Sequence, residues 1–239
     1  MKWKILVLAI CCSTSLLQAQ ISENVRFGFK LSPHVSWMAT DVKPISSGAT
    51  LAGITVGTIG EWYLSENYVL TTGVGITFNQ GGTLNHTQGG RLLPEAELSD
   101  PIYDSLPGMS DLRYKVRWLE IPFGFRMRTS EFGKWRLTFE APIISFGIRM
   151  RARGDINAPG LPETDDENIN PEINLFNMSY GLSAGGEYSL SEHISLLVAI
   201  EYRQGFLDIT KDHGVQSDGG FEDSRGTSGF VALKTAVLF

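Results

Sequence analysis

Most of the chain alternates between large apolar residues and small or polar ones with a period of two. In the first such segment, Val25, Phe27 and Phe29 are separated by Arg26 and Gly28. This period indicates β-strands with one apolar face, because successive side chains of a strand point to opposite sides. Eight segments share the pattern, at residues 25–37, 54–64, 68–78, 119–127, 135–150, 176–188, 194–202 and 231–239. The pattern therefore predicts an all-β fold with eight strands.

The connections between these segments alternate in length. Three are short, at residues 65–67, 129–134 and 191–193, and four are long, at about 39–50, 79–112, 152–172 and 204–226. Short turns at one end, long loops at the other and an even number of strands are typical of membrane barrels. We therefore expect an eight-stranded antiparallel up-and-down transmembrane β-barrel. Its long loops would be extracellular, and its short turns and both termini periplasmic.

Two local features support this strand register. Residues 60–67, Gly-Glu-Trp-Tyr-Leu-Ser-Glu-Asn, align without gaps on residues 186–193, Gly-Glu-Tyr-Ser-Leu-Ser-Glu-His. Each stretch contains a strand end, a tight turn and a strand start, so the repeating unit is a hairpin. In the fifth segment the apolar positions change phase at Pro142. We expect a bulge there, because strands tolerate proline mainly at bulges.

The face opposite the aromatic residues distinguishes a soluble barrel from a membrane barrel. It is rich in Gly, Thr and Ser and carries nine charged residues: Glu61, Glu120, Arg126, Arg136, Glu140, Glu187, Glu201, Arg203 and Lys234. In a soluble barrel these charges would face water, whereas in a membrane barrel they face a polar lumen and the aromatics face lipid. Aromatic residues cluster near both ends of the strands: Trp62, Tyr68, Trp135 and Tyr188 near the short turns, and Trp37, Trp118 and Tyr202 near the long loops. Two such girdles favour the membrane barrel, because bilayer interfaces select Trp and Tyr.

The N-terminus has the pattern of an export signal. Lys2 and Lys4 precede an apolar run that extends to Leu17, and small or polar residues follow it. We interpret residues 1–20 as a secretory signal peptide and residues 21–239 as one outer-membrane barrel domain. A membrane anchor is disfavoured because the run is too short to span a bilayer. A lipoprotein signal is disfavoured because a bulky isoleucine precedes the first cysteine.

The composition narrows the classes of function. The chain has 239 residues and a formal net charge of −6, which argues against a nucleic-acid partner. Both cysteines, Cys11 and Cys12, lie in the predicted signal peptide, so the rest of the chain has no thiol for a metal site or disulfide. The sequence contains no phosphate-binding glycine loop, nucleophile elbow or HExxH motif, and we expect no cofactor.

Two stretches resemble the PorT-like family of small outer-membrane β-barrel proteins. They are residues 63–74, Tyr-Leu-Ser-Glu-Asn-Tyr-Val-Leu-Thr-Thr-Gly-Val, and residues 118–123, Trp-Leu-Glu-Ile-Pro-Phe. In that family a turn leads into an apolar-x-x-Gly strand, and a later strand carries an apolar-Glu-Ile-Pro core. The resemblance implies location in the bacterial outer membrane and a link to type IX secretion and gliding. These motifs mark a type of barrel rather than a reaction.

Eight strands enclose a lumen just wide enough for side chains to fill it. We therefore expect the nine inward charges to form a structural ion network, because an unpaired charge there would be costly. A narrow conducting path or a ligand cavity is the alternative. The acidic loop at residues 152–172 fits no calcium-binding spacing, and we predict no metal site.

His34 and Ser36 share one face of the first segment and resemble the H-x-S pair of lipid A deacylases, which are also eight-stranded barrels. A hydrolase needs a histidine beside its serine nucleophile and an acid that orients the histidine. The two residues have the inward phase, whereas a site for lipid should open towards the membrane. We therefore expect a polar pair in the lumen and no catalytic residue.

Two basic triplets lie at the loop ends of neighbouring segments. The triplet with the outward phase comprises Arg113, Lys115 and Arg117. The second triplet, whose orientation the bulge leaves open, comprises Arg149, Arg151 and Arg153. Guanidinium groups bind phosphate in a bidentate manner, so we expect the first triplet to contact lipopolysaccharide phosphates. A solvated rim paired with loop acids is the alternative.

These features predict a non-enzymatic outer-membrane β-barrel protein, a structural or assembly component associated with protein secretion of the type IX kind. The expected partners are the outer membrane with its lipopolysaccharide and an envelope secretion or assembly complex. A small porin or ligand-binding barrel is one alternative function. A lipid-modifying outer-membrane enzyme is the other.

Overall fold

A computed structural model describes residues 24–43, 45–211, 213–220 and 224–239, so the predicted signal peptide lies outside the described residues. Eight long strands form the barrel: β1, Val25–Ala39; β2, Leu51–Ser65; β3, in two parts, Tyr68–Thr72 and Gly75–His86; β4, Ser110–Arg128; β5, Trp135–Asn157; β6, Phe176–Ser189; β7, Ser195–Gly205; and β8, Thr227–Leu238. The described loops contain the short strands Ile45–Ser47, Gly90–Arg91, Thr164–Asn168 and Val215–Gln216, and the 3₁₀ turns Pro101–Tyr103 and Asn170–Glu172.

Each barrel strand pairs antiparallel with its neighbours in the chain, and β1 also pairs with β8. Across this closure Phe29 faces Val237 and Ala39 faces Thr227. A closed sheet has no unpaired edge, which is the condition for a sheet to cross the hydrocarbon of a bilayer. The predicted eight-stranded antiparallel up-and-down barrel is confirmed. Within the described ranges, no helix is long and apolar enough to cross a membrane.

The outer surface of the barrel is an apolar belt. Its side chains have the outward phase and are exposed, as Phe29 at 65%, Trp62 at 62% and Ile200 at 56% show. The charged residues of the opposite phase are buried inside the ring, including Glu61 and Arg126. A soluble barrel would have the reverse arrangement, so the belt is the surface that meets lipid.

Aromatic pairs lie at both ends of the belt. Near the short turns the rings of Trp135 and Tyr188 have centroids 4.9 Å apart. Near the long loops Trp37 stacks on Tyr202 with centroids 6.2 Å apart. The expected place of Trp118 in this second girdle is wrong. Its side chain is fully buried, because it has the inward phase of β4 and packs beneath the loops.

Three strands continue past the belt into regions predicted as loops. β3 ends at His86, β4 begins at Ser110 and β5 ends at Asn157. The second long loop is therefore residues 87–109 rather than 79–112. The alternation continues in the extension of β4, but its apolar phase is reversed. Leu112, Tyr114, Val116 and Trp118 are buried inside, whereas the apolar residues of the belt face outward. Beyond the bilayer no lipid selects an apolar outer face, so a search for strands with the apolar phase of the belt stops short of these ends.

The predicted bulge at Pro142 is confirmed. The pairing of β5 with β4 shifts between Gly124 and Arg126, and its pairing with β6 shifts between Gly181 and Ser183. At this level β5 therefore has one residue more than each of the two strands that pair with it. This explains why the apolar phase of β5 changes there.

The long loops fold over the extracellular mouth as a packed cap. Backbone ties join them: Val215–Gln216 pairs with Gly90–Arg91, Ile173 bridges to Thr210, and Glu97 bridges to Asn168. Burial of apolar side chains stabilises the arrangement by removing their surface from water. We define the cap by its apolar core, which comprises Met38, Ile45, Leu84, Leu92, Leu93, Tyr103, Leu106, Leu112, Tyr114, Val116, Trp118, Ala152, Ile156, Ala158, Ile169, Ile173 and Ile209.

Candidate functional site

Charged side chains of alternating sign fill the lumen. We call them the ion chain, and each is ion-paired with the next in this order: Glu120, Arg203, Glu201, Lys234, Glu140, Arg126, Glu61, Arg26, Glu187 and Arg128. Every strand except β3 contributes a charged residue from its inward phase. The ion chain contains equal numbers of carboxylates and cations, so its charges neutralise one another away from water.

The upper part of the ion chain joins β4, β7, β8 and β5. The guanidinium of Arg203 lies 2.7 Å from Glu201 through Nε and 3.1 Å from Glu120 through Nη1. The Nζ of Lys234 lies between two carboxylates, 3.3 Å from Glu201 and 2.9 Å from Glu140. Arg203 and Glu201 lie on the same strand, and the other three pairs join different strands, so they hold the ring together across the lumen.

Arg126 is the centre of the ion chain. Its Nη2 and Nε donate to one oxygen of Glu140 at 2.9 and 3.1 Å, and its Nη1 pairs with Glu61. The hydroxyl of Thr71, on β3, donates to the other oxygen of Glu140 at 2.6 Å. A buried guanidinium and its two carboxylates thus satisfy one another, which is what makes such a cluster tolerable inside a barrel.

The lower part of the ion chain is built around a tyrosine. The Tyr63 hydroxyl donates to Glu61 at 2.8 Å and accepts from Arg26 at 2.8 Å. Arg26 also pairs with Glu187 at 2.8 Å, and the Arg128 guanidinium lies 4.3 Å from the centre of the Tyr63 ring. This arrangement closes the lumen towards the periplasmic turns.

The structure brings together eight of the nine charges that the sequence placed in the lumen. Arg136 lies apart, because it is near the turn and pairs there with Glu131 at 2.8 Å. The ion chain also contains Arg26 and Arg128, which are not among the nine predicted charges, and Lys30 is buried in the lumen as well. Their inward phase was the available signal, because each lies on the same side of its strand as other lumen residues.

Little space remains between these side chains. The cavity around Lys30, Lys234 and Glu140 has a volume of about 10 Å³, close to the smallest that holds one water molecule. Below the ion chain the barrel opens into a vestibule of about 1210 Å³, with Arg128 and Glu187 at its upper end. The vestibule therefore ends against a plug of paired charges.

His34 and Ser36 both face inward but do not form a hydrogen-bonded pair. The Ser36 hydroxyl donates to backbone carbonyls and accepts from the Gly81 amide at 3.1 Å. The His34 ring packs against Phe230 with centroids 5.1 Å apart, and its nitrogens have no hydrogen-bond partner among the described residues. The structure therefore does not join the H-x-S pair as a nucleophile and its base.

Two carboxylates of the cap bind backbone and hydroxyl donors of neighbouring loops. Glu172 accepts a hydrogen bond from the Glu95 amide, and burial raises the pKa of Glu172. For Glu167 burial acts in the same direction, but hydrogen bonds from Ser99 and Thr164 hold its pKa below the ordinary value. Both acids serve to tie loops together. Within the part of the chain that the structure describes, no group of three His, Cys, Asp or Glu residues could hold a metal ion.

The basic residues of β4 and β5 form one outward surface above the belt, which we call the basic seam. It comprises Arg113, Lys115, Arg117, Arg151 and Arg153. Arg117 is the register partner of Arg151, and Lys115 is the register partner of Arg153. Arg149 is not part of the seam. It is the register partner of Trp118, so its side chain points inward as that of Trp118 does. A register shift at this level separates the orientation of Arg149 from that of Arg151.

Two aspartates lie within the basic seam. Asp155 is 2.5 Å from Lys115 and 3.7 Å from Arg113. Asp166 is 3.0 Å from Arg151 and 3.9 Å from Arg153. Arg117 lies 4.6 Å from the centre of the Phe78 ring. The structure therefore places the three predicted lipid-contact residues on the outer face, two of them beside an acid; the lipid contact itself stays a prediction.

Sequence comparison identifies a family. The model of the family described as "Outer membrane protein beta-barrel domain" matches residues 18–211. Among curated protein sequences, none matches this chain significantly. The family match covers most of the chain, including β1 to β7.

Several solved structures are similar in fold. Ail, the attachment invasion locus protein of Yersinia pestis, superposes with a TM-score of 0.41 at 11% identity, covering 91% of this chain and 100% of that chain. Neisserial surface protein A gives 0.39 at 11% identity, with 87% and 96% covered. The outer membrane protease OmpT from Escherichia coli gives 0.37 at 10% identity, with 91% and 96% covered. Similarities at this level carry no argument about function.

Proposed function

Because the chain belongs to the outer membrane protein β-barrel domain family and lies in the bacterial outer membrane, we propose that it is a non-enzymatic assembly component whose cap docks onto an envelope secretion complex. The observation that carries the proposal is the filled lumen below a packed cap. A plugged barrel is suited to anchoring, and its cap is the part that is free to meet a partner.

The ion chain supports an anchoring role. A path through the barrel would require several of its pairs to separate, including Arg126 from Glu140. Leaving one member of a buried pair without its partner costs about 3–5 kcal/mol. The paired charges therefore favour a rigid barrel over a gated pore.

The surface of the cap supports contact with a protein. Met109 and Ile102, both in loop 87–109, are 78% and 48% exposed. Exposed large apolar side chains on an otherwise packed surface favour an interaction site, and methionine adapts to varied partners. The resemblance of residues 63–74 and 118–123 to the PorT-like family favours a secretion complex as that partner.

The test is affinity purification of the tagged, cross-linked protein from native membranes. We expect envelope proteins to co-purify with the wild type and to be lost from an Ile102→Ser/Met109→Ser variant. Lys134→Ser, in a periplasmic turn, is the matched control and should retain them. Recovery of the same proteins with the cap variant, or with an unrelated barrel of similar size, would contradict a docking role for the cap.

The vestibule favours a second candidate, a small porin or ligand-binding barrel. It opens at the periplasmic turns and has a volume of about 1210 Å³, enough for a small molecule. Planar-bilayer recordings separate the two functions, because an anchoring barrel with a filled lumen should show no discrete conductance steps. Reproducible steps would favour the porin. Altered lipid A in mass spectra of expressing cells would favour a lipid-modifying enzyme instead.

A further inference from the structure

The basic seam lies at the upper edge of the apolar belt. Directly below it on the same two strands are Leu119 and Met150, and Met150 is 52% exposed on the lipid-facing side. On β4, Arg117 and Leu119 are alternate residues and therefore share one face. On β5 the register shift turns Arg151 to the same side as Met150, so the seam continues the lipid-facing surface upward. Its cations therefore lie at the level of the headgroups of the outer leaflet.

The seam has more positive charge than its own acids neutralise. Five cations face two carboxylates, Asp155 and Asp166, which leaves three positive charges in excess. Among the described residues no carboxylate pairs with Arg117. The buried Nε atoms of Arg151 and Arg153 have no hydrogen-bond partner within the same residues.

Like charges lie directly opposite one another across the hairpin. Arg117 faces Arg151 and Lys115 faces Arg153 in the register of β4 and β5. Like charges in such pairs destabilise a sheet, so an anion between them would relieve the repulsion. Two neighbouring guanidiniums offer parallel N–H donors that match the oxygens of a phosphate group.

We propose that Arg117 and Arg151, flanked by Lys115 and Arg153, bind a phosphate group of an outer-leaflet lipid, with phosphorylated lipopolysaccharide as the ligand. This inference goes beyond the docking role of the cap and rests only on the location of the barrel in the membrane. The two arginines hold the phosphate, and the flanking cations add attraction that Asp155 and Asp166 partly offset.

The surroundings favour a lipid over free phosphate. The Phe78 ring lies against the Arg117 guanidinium on the outside of the barrel, and exposed Met150 and Ile148 follow below. Acyl chains attached to the bound phosphate would cover these apolar side chains. Free phosphate would make the polar contacts alone and bind more weakly.

The test measures binding of lipopolysaccharide to the refolded full chain in mild detergent. The variant Arg117→Ser/Arg151→Ser should bind about tenfold or more weakly than wild type, as expected for the loss of charge-assisted hydrogen bonds. Lys134→Ser/Arg91→Ser removes the same charge outside the seam and should bind like wild type. Heat-modifiable gel migration verifies that each variant is folded.

Three ligand arms identify what is bound. Wild type should prefer phosphorylated lipopolysaccharide over its dephosphorylated form, and millimolar inorganic phosphate should compete weakly. The site would be overturned if wild type bound phosphorylated and dephosphorylated lipopolysaccharide equally. It would also be overturned if wild type and Arg117→Ser/Arg151→Ser bound phosphorylated lipopolysaccharide equally. Full displacement by inorganic phosphate would overturn the lipid assignment. Arg117→Lys/Arg151→Lys keeps the charge but loses the bidentate fork, so intermediate binding is expected.

The aspartates provide a test in the opposite direction. Asp155→Asn removes the acid that pairs with Lys115 and Arg113 and leaves both cations in place. Binding of phosphorylated lipopolysaccharide should then increase, by about two- to fivefold, the effect of removing an acid whose paired cations stay partly exposed to solvent. Unchanged or weaker binding in this folded variant would contradict phosphate recognition by the seam.

Discussion

Arg126 shows how a charge is kept inside a membrane barrel. The alternation of residues in β4 predicts its inward orientation, and burial confirms it. Its partners, Glu61 on β2 and Glu140 on β5, share the same lumen and leave no charge of this group unpaired. At the scale of single residues, the lumen is therefore stabilised by the completeness of its pairing rather than by any one ion pair.

Replacing this arginine should be strongly destabilising. Arg126→Met removes the cation between two carboxylates and leaves both buried, which should lower the free energy of unfolding by about 3–5 kcal/mol. Urea titration of the refolded protein in lipid vesicles measures the loss. Arg136→Met, whose side chain pairs at the turn, is the control and should change stability by less than about 1 kcal/mol. Equal effects of the two substitutions would show that the ion chain does not stabilise the barrel.

Closure of the sheet depends on the approach of β1 to β8. Gly28 faces Leu238 in this register, and a Cβ placed on Gly28 would overlap the carbonyl oxygen of Val237. At Gly60, on the neighbouring strand β2, a Cβ would make only ordinary van der Waals contacts, the nearest at 3.5 Å to the Phe27 ring. At the scale of elements, two glycines of similar sequence setting therefore have different roles.

A substitution at each glycine separates these roles. Gly28→Val should hinder pairing of the first and last strands and lower the yield of the heat-modifiable folded form. Gly60→Val should fold like wild type, because its side chain meets only ordinary contacts on the outer surface. Gel migration of both variants after refolding into detergent measures the difference. If Gly28→Val folds as well as Gly60→Val, the close approach of β1 to β8 is unimportant for closure.

The whole molecule has two parts stabilised by different means. The barrel turns its apolar side chains outward to lipid and pairs its charges inside, whereas the cap buries an apolar core away from water.

His86 lies at the end of β3 in the cap, paired in register with Ser110. Burial lowers the pKa of His86 to about 4, from an ordinary value of 6.5.

This shift predicts that acid weakens the cap. His86 is neutral in the folded state and is protonated more readily in the unfolded state. Its contribution to the free energy of unfolding is therefore fully present above pH 6.5 and is lost as the pH falls towards 4. His86→Gln cannot be protonated, so at about pH 5 the wild type should lose about 1–2 kcal/mol relative to this variant. Glu172, whose pKa is raised by burial, acts in the opposite direction in both proteins. Amide hydrogen exchange of residues 87–109 measures the difference, and parallel pH profiles for the two proteins would contradict the prediction.

The sequence by itself determined the barrel. A period of two with one aromatic face specifies strands, and the alternation of short and long connections specifies an up-and-down order. The same phase placed eight charges of the ion chain in the lumen, because the direction of a side chain from a strand follows from its position alone. These properties are local, and so local sequence carries them.

Only the tertiary structure decided which charges meet. Glu120 pairs with Arg203, 83 residues away in the chain, and no local pattern specifies that contact. The cap was also hidden, because its core gathers apolar side chains from the upper ends of four strands and from several loops, and no local pattern specifies that these side chains meet. A register shift beside Trp118 sets which arginines of β5 face outward, and such shifts depend on the pairing of neighbouring strands. Contacts between distant segments arise from closure of the ring and packing of the loops, and therefore become visible only in three dimensions.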